Sequence, residues 1–168
     1  MNALDRPVDW GAAVWAGMAA GVLATIVQIV LWSVFTDALP TLLFRDARFA
    51  AAIVLGRGVL PPPASFDGPV MLVATVVHFT LSIAYGLILA PFIARLRTAA
   101  SLLAGAVFGF LLYLVNMYGF TVVFPWFRDS RDGIAIVAHV TFGLVAAGAY
   151  RVLLHRRLGR THPAKRDP

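Results

Sequence analysis

The sequence predicts an all-α membrane protein: four transmembrane helices arranged as a 2+2 pseudo-two-fold bundle, with one further helix in the outer interface. Three observations carry this. Of the 168 residues 60% are hydrophobic and only 13% charged, far from the ~25% charged of a soluble domain. The charged residues are clustered, leaving four uninterrupted windows at 10–36, 68–94, 98–127 and 133–150. Finally, the first two windows resemble the last two at constant offsets.

The first three windows are 27, 27 and 30 residues long, more than the ~20 needed to cross ~30 Å of hydrocarbon. The fourth has 18, and Arg151 can snorkel while Val152, Leu153 and Leu154 extend it. Spans of about 10–36, 69–94, 98–124 and 133–154 are therefore expected within a single integral membrane domain over 1–168. The first window is too long for the apolar core of a signal peptide and follows only Arg6, so it reads as a retained helix. Trp10 and Trp15 fall near one interface and Trp32 and Trp126 near the other, as in an aromatic belt.

Between the first two spans, Thr41 to Leu55 reads as an interfacial helix, with Arg45, Asp46 and Arg48 bunched apart from its apolar residues. Gly56 stops it, and Pro61-Pro62-Pro63 makes a stiff strap into the second span. The tail over 156–168 is basic and expected to be mobile beside anionic lipid.

Formal charge is +6, with all 8 acids Asp and all but Lys165 of the 14 bases Arg. Nine bases fall on the side of the termini: Arg6, Arg95, Arg97, Arg151, Arg156, Arg157, Arg160, Lys165 and Arg166. Five fall opposite, at Arg45, Arg48, Arg57, Arg128 and Arg131, where five acids cancel them. The positive-inside rule places both termini in the cytoplasm and makes the basicity an orientation signal, with no nucleic-acid partner expected. Absence of Cys removes thiolate metal sites and cysteine nucleophiles.

Ala16-Gly17-x-x-x-Gly21-x-Leu23-x-x-x-Val27-Gln28 aligns with Ala104-Gly105-x-x-x-Gly109-x-Leu111-x-x-x-Val115-Asn116 at an offset of 88. Ala74-x-Val76-x-His78-x-Thr80 aligns with Ala135-x-Val137-x-His139-x-Thr141 at an offset of 61, the difference of 27 being the interfacial insertion. Two helices per copy return the chain to its starting side, so the copies are parallel about an axis along the membrane normal. Helical periodicity marks the faces to bury: Gly17, Gly21, Thr25, Gln28 and Trp32; Thr75, His78, Ser82 and Tyr85; Gly105, Gly109, Tyr113, Asn116 and Phe120.

Outside Ser, Thr and the aromatics, each window holds one strongly polar side chain: Gln28, His78, Asn116 and His139. Each lies roughly 4–8 Å outward of its window's midpoint, so the four share one depth. Such groups are costly in hydrocarbon and face the bundle interior. Three readings of this layer stand side by side. The amides and imidazoles hydrogen-bond across helices and lock the bundle, with the glycines serving close packing. Alternatively, His78 and His139 ligate a haem b, its only metal being the haem iron. Gly17, Gly21, Gly105 and Gly109 then admit the porphyrin edge, although Gly21 and Gly109 lie seven residues below the histidines, and Arg128 or Arg131 pairs with propionates. This resembles the four-helix core of b-type cytochromes. In the third reading, Thr25, Ser82, Tyr85 and Tyr113 line a proton or small-solute path. Two His and two amides make a poor zinc or copper set, and no carboxylate within the spans can orient either His in a hydrolytic triad. In the outer hairpin, Val123-Phe124-Pro125-Trp126-Phe127-Arg128-Asp129 reads as an aromatic anchor and turn, with a quinone or lipid-headgroup site as the alternative.

Asn2-Ala3-Leu4-Asp5-Arg6-Pro7-Val8-Asp9-Trp10, Leu60-Pro61-Pro62-Pro63-Ala64-x-Phe66-Asp67, His78-Phe79-x-Leu81-Ser82-x-x-Tyr85-Gly86, Asn116-x-Tyr118-Gly119-Phe120 and Phe124-Pro125-Trp126-Phe127 span nearly the whole chain. Through them it resembles a family of short, uncharacterised four-helix bacterial inner-membrane proteins. The resemblance implies a multi-pass protein of the inner membrane and no particular activity. A sodium:proline symporter label sometimes given to such proteins does not suit this chain, since sodium-solute symporters have many more helices and unwound ion-coordinating segments. The expectation is a non-enzymatic accessory or ligand-binding subunit, its partners the lipid bilayer and either another membrane complex or a second copy of itself.

Overall fold

A computed structural model describes residues 8–161, all-α, with five long helices. They are α1 (Trp10–Phe35), α2 (Thr41–Leu55), α3 (Gly68–Ile93), α4 (Thr98–Leu114) and α5 (Gly133–Thr161). Among the described residues, four helical stretches are long and apolar enough to cross a membrane: Trp10–Phe35, Gly68–Ile93, Thr98–Val122 and Gly133–Arg157. Arg6, the expected N-terminal motif up to Pro7, and residues 162–168 of the basic tail lie outside the described residues.

Three helices start on the aspartates that bound the charge-free windows. Asp9 accepts from the Ala12 N–H at 2.8 Å, Asp67 from Val70 at 3.1 Å and Asp132 from Ala135 at 2.7 Å, each satisfying an orphan donor of the first turn. Gly56, at φ 77°, ends α2 in a backbone region that glycine adopts without strain. Pro91 lies inside α3 near its end. The fourth span, α5, runs past Leu154 to Thr161, so the segment expected to be a mobile tail from Arg156 begins as helix. The third span is regular only to Leu114; Val115–Gly119 forms a widened π-helical turn and Phe120–Val122 a 3-10 turn. Arg131 closes this irregular end, its Nε donating to the Met117 carbonyl at 2.6 Å and its Nη2 to Thr121 Oγ1 at 2.7 Å.

In the half of the bundle where α1 begins and α5 ends, small residues pack tightly. Ala12, Ala13, Ala16 and Ala20 of α1 meet Leu89, Ala90 and Ile93 of α3 and Ala146, Ala147 and Tyr150 of α5, all buried. Asp9 ties the same end together: its backbone N–H donates to Tyr150 Oη at 3.2 Å and its carboxylate accepts from Arg157 at 2.8 Å. Outward-facing Val22, Leu23, Ile26, Val30 and Val34 of α1, like Leu72, Val76, Ile88 and Phe92 of α3, are exposed, the arrangement suited to hydrocarbon as solvent.

The burial stripes hold on α1. On α3 Thr75 is exposed, its hydroxyl bonded back to the Met71 carbonyl, and Ala74, Ser82 and Gly86 take the interior face instead. Phe120 is also exposed, because the π-helical turn shifts the register beyond Leu114. Trp10 and Trp15 are exposed as belt residues should be, whereas Trp32 is buried. The two-fold relation is approximate. An axis relating the halves would make the α1–α5 and α3–α4 interfaces equivalent, yet α1 packs broadly on α5 while α3 touches α4 only sparsely. Only the first half carries α2, which packs along α3 through Ala51 against Val70 and Ala74.

Candidate functional site

Glycines set where the helices close. A Cβ at Gly17 would strike the Ser82 carbonyl of α3, and one at Gly86 would come within 2.7 Å of the Ala13 carbonyl of α1. In the second pair, a Cβ at Gly105 would strike the Gly143 carbonyl, one at Gly143 the Gly105 carbonyl, and one at Gly109 the His139 carbonyl. Backbone therefore lies against backbone in α1–α3 and in α4–α5, the use of small residues expected in a membrane. At Gly21 the neighbours are side chains, Ser82 Oγ at 2.6 Å and His78 Nε2 at 3.1 Å. The open side of all four predicted glycines is thus filled by the neighbouring helix, and no slot remains there for a porphyrin edge.

Beyond the glycines, toward α2, the helices enclose a cavity of about 550 Å³. Each of the four singled-out polar residues lines it: Gln28 of α1, His78 of α3, Asn116 in the π-helical turn and His139 of α5. Thr25, Ser82 and Tyr85 line it too. Tyr113 does not; it stands against the His139 ring, centroids 5.7 Å apart and edge to face.

The polar residues fall into three groups rather than one ring. Across α3, the π-helical turn and α5, Tyr85 donates to Asn116 Oδ1 at 2.9 Å, Asn116 Nδ2 lies 3.2 Å from His139 Nε2, and His139 Nδ1 lies 2.7 Å from the Ala135 carbonyl. A carbonyl only accepts, so Nδ1 carries the proton and Nε2 is left to accept from the amide, which orients Asn116 with its oxygen toward Tyr85. Nearer α1, His78 Nε2 makes a long contact of 3.4 Å with Thr25 Oγ1. The third group is Gln28, whose Nε2 lies 3.5 Å from Asp46 Oδ2.

Asp46 is the site residue that the sequence pattern did not reveal. Grouped with Arg45 and Arg48, it was expected on the solvent side of α2; it instead lines the cavity and accepts from Ser130 at 3.1 Å and from Arg45 at 2.8 Å. Burial pushes its carboxyl above the usual range, Asp132 adds to the rise, and Arg45 and Ser130 offset part of it. A signal existed: Asp46, Ala50 and Ile53 have helical i, i+4, i+7 spacing, and all three line the cavity. The bundle interior thus contains an acid, although it comes from α2 and touches neither histidine.

Neither arginine expected near the outer mouth lines the cavity. Arg128 is exposed, and Arg131 is engaged by Met117 and Thr121 and stacked 4.3 Å from the Tyr118 ring centroid. With His139 Nε2 taken by Asn116, the glycines filled and Arg131 engaged, the residues present do not fit a bis-histidine haem. Among the described residues no group of three or more His, Asp or Glu could hold a metal ion. The outer hairpin is a 3-10 helix over Pro125–Ser130, and Trp126 Nε1 donates to the Phe49 carbonyl at 3.0 Å, so this aromatic segment braces α2.

Fold and site together define a four-helix protein of membrane type with a mainly apolar internal cavity beneath a docked amphipathic helix. No family model, curated protein or solved structure matches the chain.

Proposed function

We propose that this chain is a non-enzymatic protein of the bacterial inner membrane, both termini cytoplasmic, that binds one small apolar molecule, acting alone, as a homo-oligomer or as an accessory subunit of a membrane complex. One observation carries the reading: an apolar-walled cavity of about 550 Å³ holds Gln28, His78, Asn116 and His139, one from each span. Its size falls within the ~300–1,000 Å³ of small-molecule sites, and a few convergent polar groups in an apolar wall is their usual make-up. Bundle locking alone calls for the polar groups to meet each other, yet Gln28 and His78 make side-chain contacts of only 3.5 and 3.4 Å and, with Ser82, line the cavity. The excess of bases on the side of the termini supports the orientation.

Native mass spectrometry of the full chain released from mild detergent tests this. The expected spectrum carries one bound small molecule, lost in Ala138→Phe, which fills the cavity from a buried wall position. Wild type and Ala138→Phe without bound mass would overturn the reading. The same preparation, made with adequate haem supply, is expected to show no Soret band; a band lost in both His78→Ala and His139→Ala would restore the haem alternative.

The two halves are read as copies of one helix pair. Supporting this, the close contacts recur at the aligned positions: Gly17 meets α3 at Ser82 as Gly105 meets α5 at Gly143, and Gly17 approaches Gly86 as Gly105 approaches Ala147. These pairs are related by the same offsets of 88 and 61 that align the sequences.

A further inference from the structure

Charge narrows the ligand first. Among the described residues, those lining the cavity include no Lys or Arg, and their one carboxylate is Asp46. Arg45, the nearest guanidinium on α2, is bound to that carboxylate, and Arg131 is held by Met117 and Thr121. An anion placed here would lose its hydration, meet no cation and face Asp46, so fatty acids and anionic phospholipids are disfavoured.

Hydrogen-bonding capacity narrows it further. Both His139 nitrogens and the Tyr85 hydroxyl proton are spent in the chain that runs from α3 through the π-helical turn to α5. Unspent capacity is of both kinds: donors remain at the Ser82 hydroxyl, without a hydrogen-bond partner among the described residues, the loosely held Thr25 hydroxyl and the second N–H of the Asn116 and Gln28 amides, and Gln28 Oε1, the second His78 nitrogen and Asp46 add acceptors. A neutral ligand with carbonyl groups can accept from these donors without bringing a charge to the cavity.

Shape supplies the rest. Rings of Tyr85, Phe120, Phe124, Phe127 and Phe142 stand around the cavity, favouring a planar partner. At about 550 Å³ the space takes a ring head and a short length of tail, not a long lipid chain. A tail has an exit where α3 and α4 barely touch, beside the exposed Val76, Thr80 and Phe120, which lead into the bilayer.

We infer that the cavity receives the head of a lipophilic quinone, its ring carbonyls toward Ser82, Thr25 and the free amide N–H groups and its tail leaving between α3 and α4. This rests on the ligand-binding reading above. The test titrates the full chain in neutral detergent at pH 8 with decylubiquinone, with oleate and with monoolein, which is neutral but has no planar ring. Decylubiquinone is expected to saturate one site about tenfold more tightly than either lipid, the ratio set by one buried charge or hydrogen-bond mismatch. Ser82→Ala should weaken it several-fold and Ala138→Phe should abolish it. The three-ligand comparison needs no variant, so misfolding of Ser82→Ala would not blunt it. Oleate or monoolein binding as tightly as decylubiquinone would overturn the quinone assignment and leave the cavity reading in place. So would failure of all three ligands while the native spectrum keeps a mass lost in Ala138→Phe. Failure of all three with no such mass would remove both.

Discussion

His139 has the most constrained surroundings of any residue in the cavity. Its ring is held by Ala135 on its own helix, Asn116 across the helix pair and the Tyr113 ring packed perpendicular to it, so its tautomer and orientation follow from its neighbours. His78 makes a long contact with Thr25, sets its Nε2 against Gly21 and stands edge to face with Phe79, so it is held mainly by packing. Glycines make an equally local statement, because the space at each differs. Gly143→Ala sets a methyl against the Gly105 carbonyl and is expected to lower stability by about 1–3 kcal/mol, the usual cost of overpacking. Gly148→Ala meets only Leu102 Cδ2 at 3.6 Å, ordinary contact, and should be neutral or stabilising through helix propensity. Thermal unfolding in detergent separates them; equal losses at both would show that α4–α5 is not held by backbone approach at Gly105–Gly143.

Among the elements, α2 has the most specific attachments. Arg48 reaches the strap, donating to the Val59 carbonyl at 2.9 Å and the Ser65 carbonyl at 2.9 Å, while Trp126 holds the Phe49 carbonyl and Asp46 accepts from Ser130. The docked Asp46 carboxyl titrates above its ordinary range, burial outweighing Arg45 and Ser130, so the docked state binds its proton more tightly than an undocked α2 does. Docking is therefore strongest below the ordinary carboxyl range and weakens as pH rises through the docked value. Hydrogen exchange over residues 41–55, corrected for intrinsic rates, should show more protection on the acid side of that window, and Asp46→Asn should flatten the dependence. A flat wild-type profile would mean that Asp46 does not couple to docking.

At the scale of the whole molecule, the tight small-residue core and the cavity occupy opposite halves of one bundle. Close glycine contacts and the Asp9–Tyr150–Arg157 cluster secure the end that carries the excess bases; the other half stays open between α3 and α4. Orientation is a property of this scale and can be read by labelling, because the chain has no Cys of its own. In intact cells a membrane-impermeant maleimide should label Arg128→Cys, whereas Arg156→Cys should react only after lysis. The reverse pattern would contradict cytoplasmic termini.

Four spans, their boundaries at Asp9, Asp67 and Asp132, and the helical register of α1 could be read directly from the sequence, because transfer into hydrocarbon depends on composition and length over ~20 residues. The polar residue of each span was equally legible, since Gln28, His78, Asn116 and His139 interrupt apolar windows whatever they touch. Which partners they take was not. Asp46 turns inward because α2 folds back over the bundle. Thr75 and Phe120 face outward because helix rotation and a π-helical turn are decided by neighbouring helices. The predicted glycines contact the other helix of their own pair, leaving none free to flank a cofactor. Local chemistry determined that this chain has four helices suited to a membrane, each with one polar residue; only packing between distant segments decided that those residues line one cavity with no cation among the described residues of its wall.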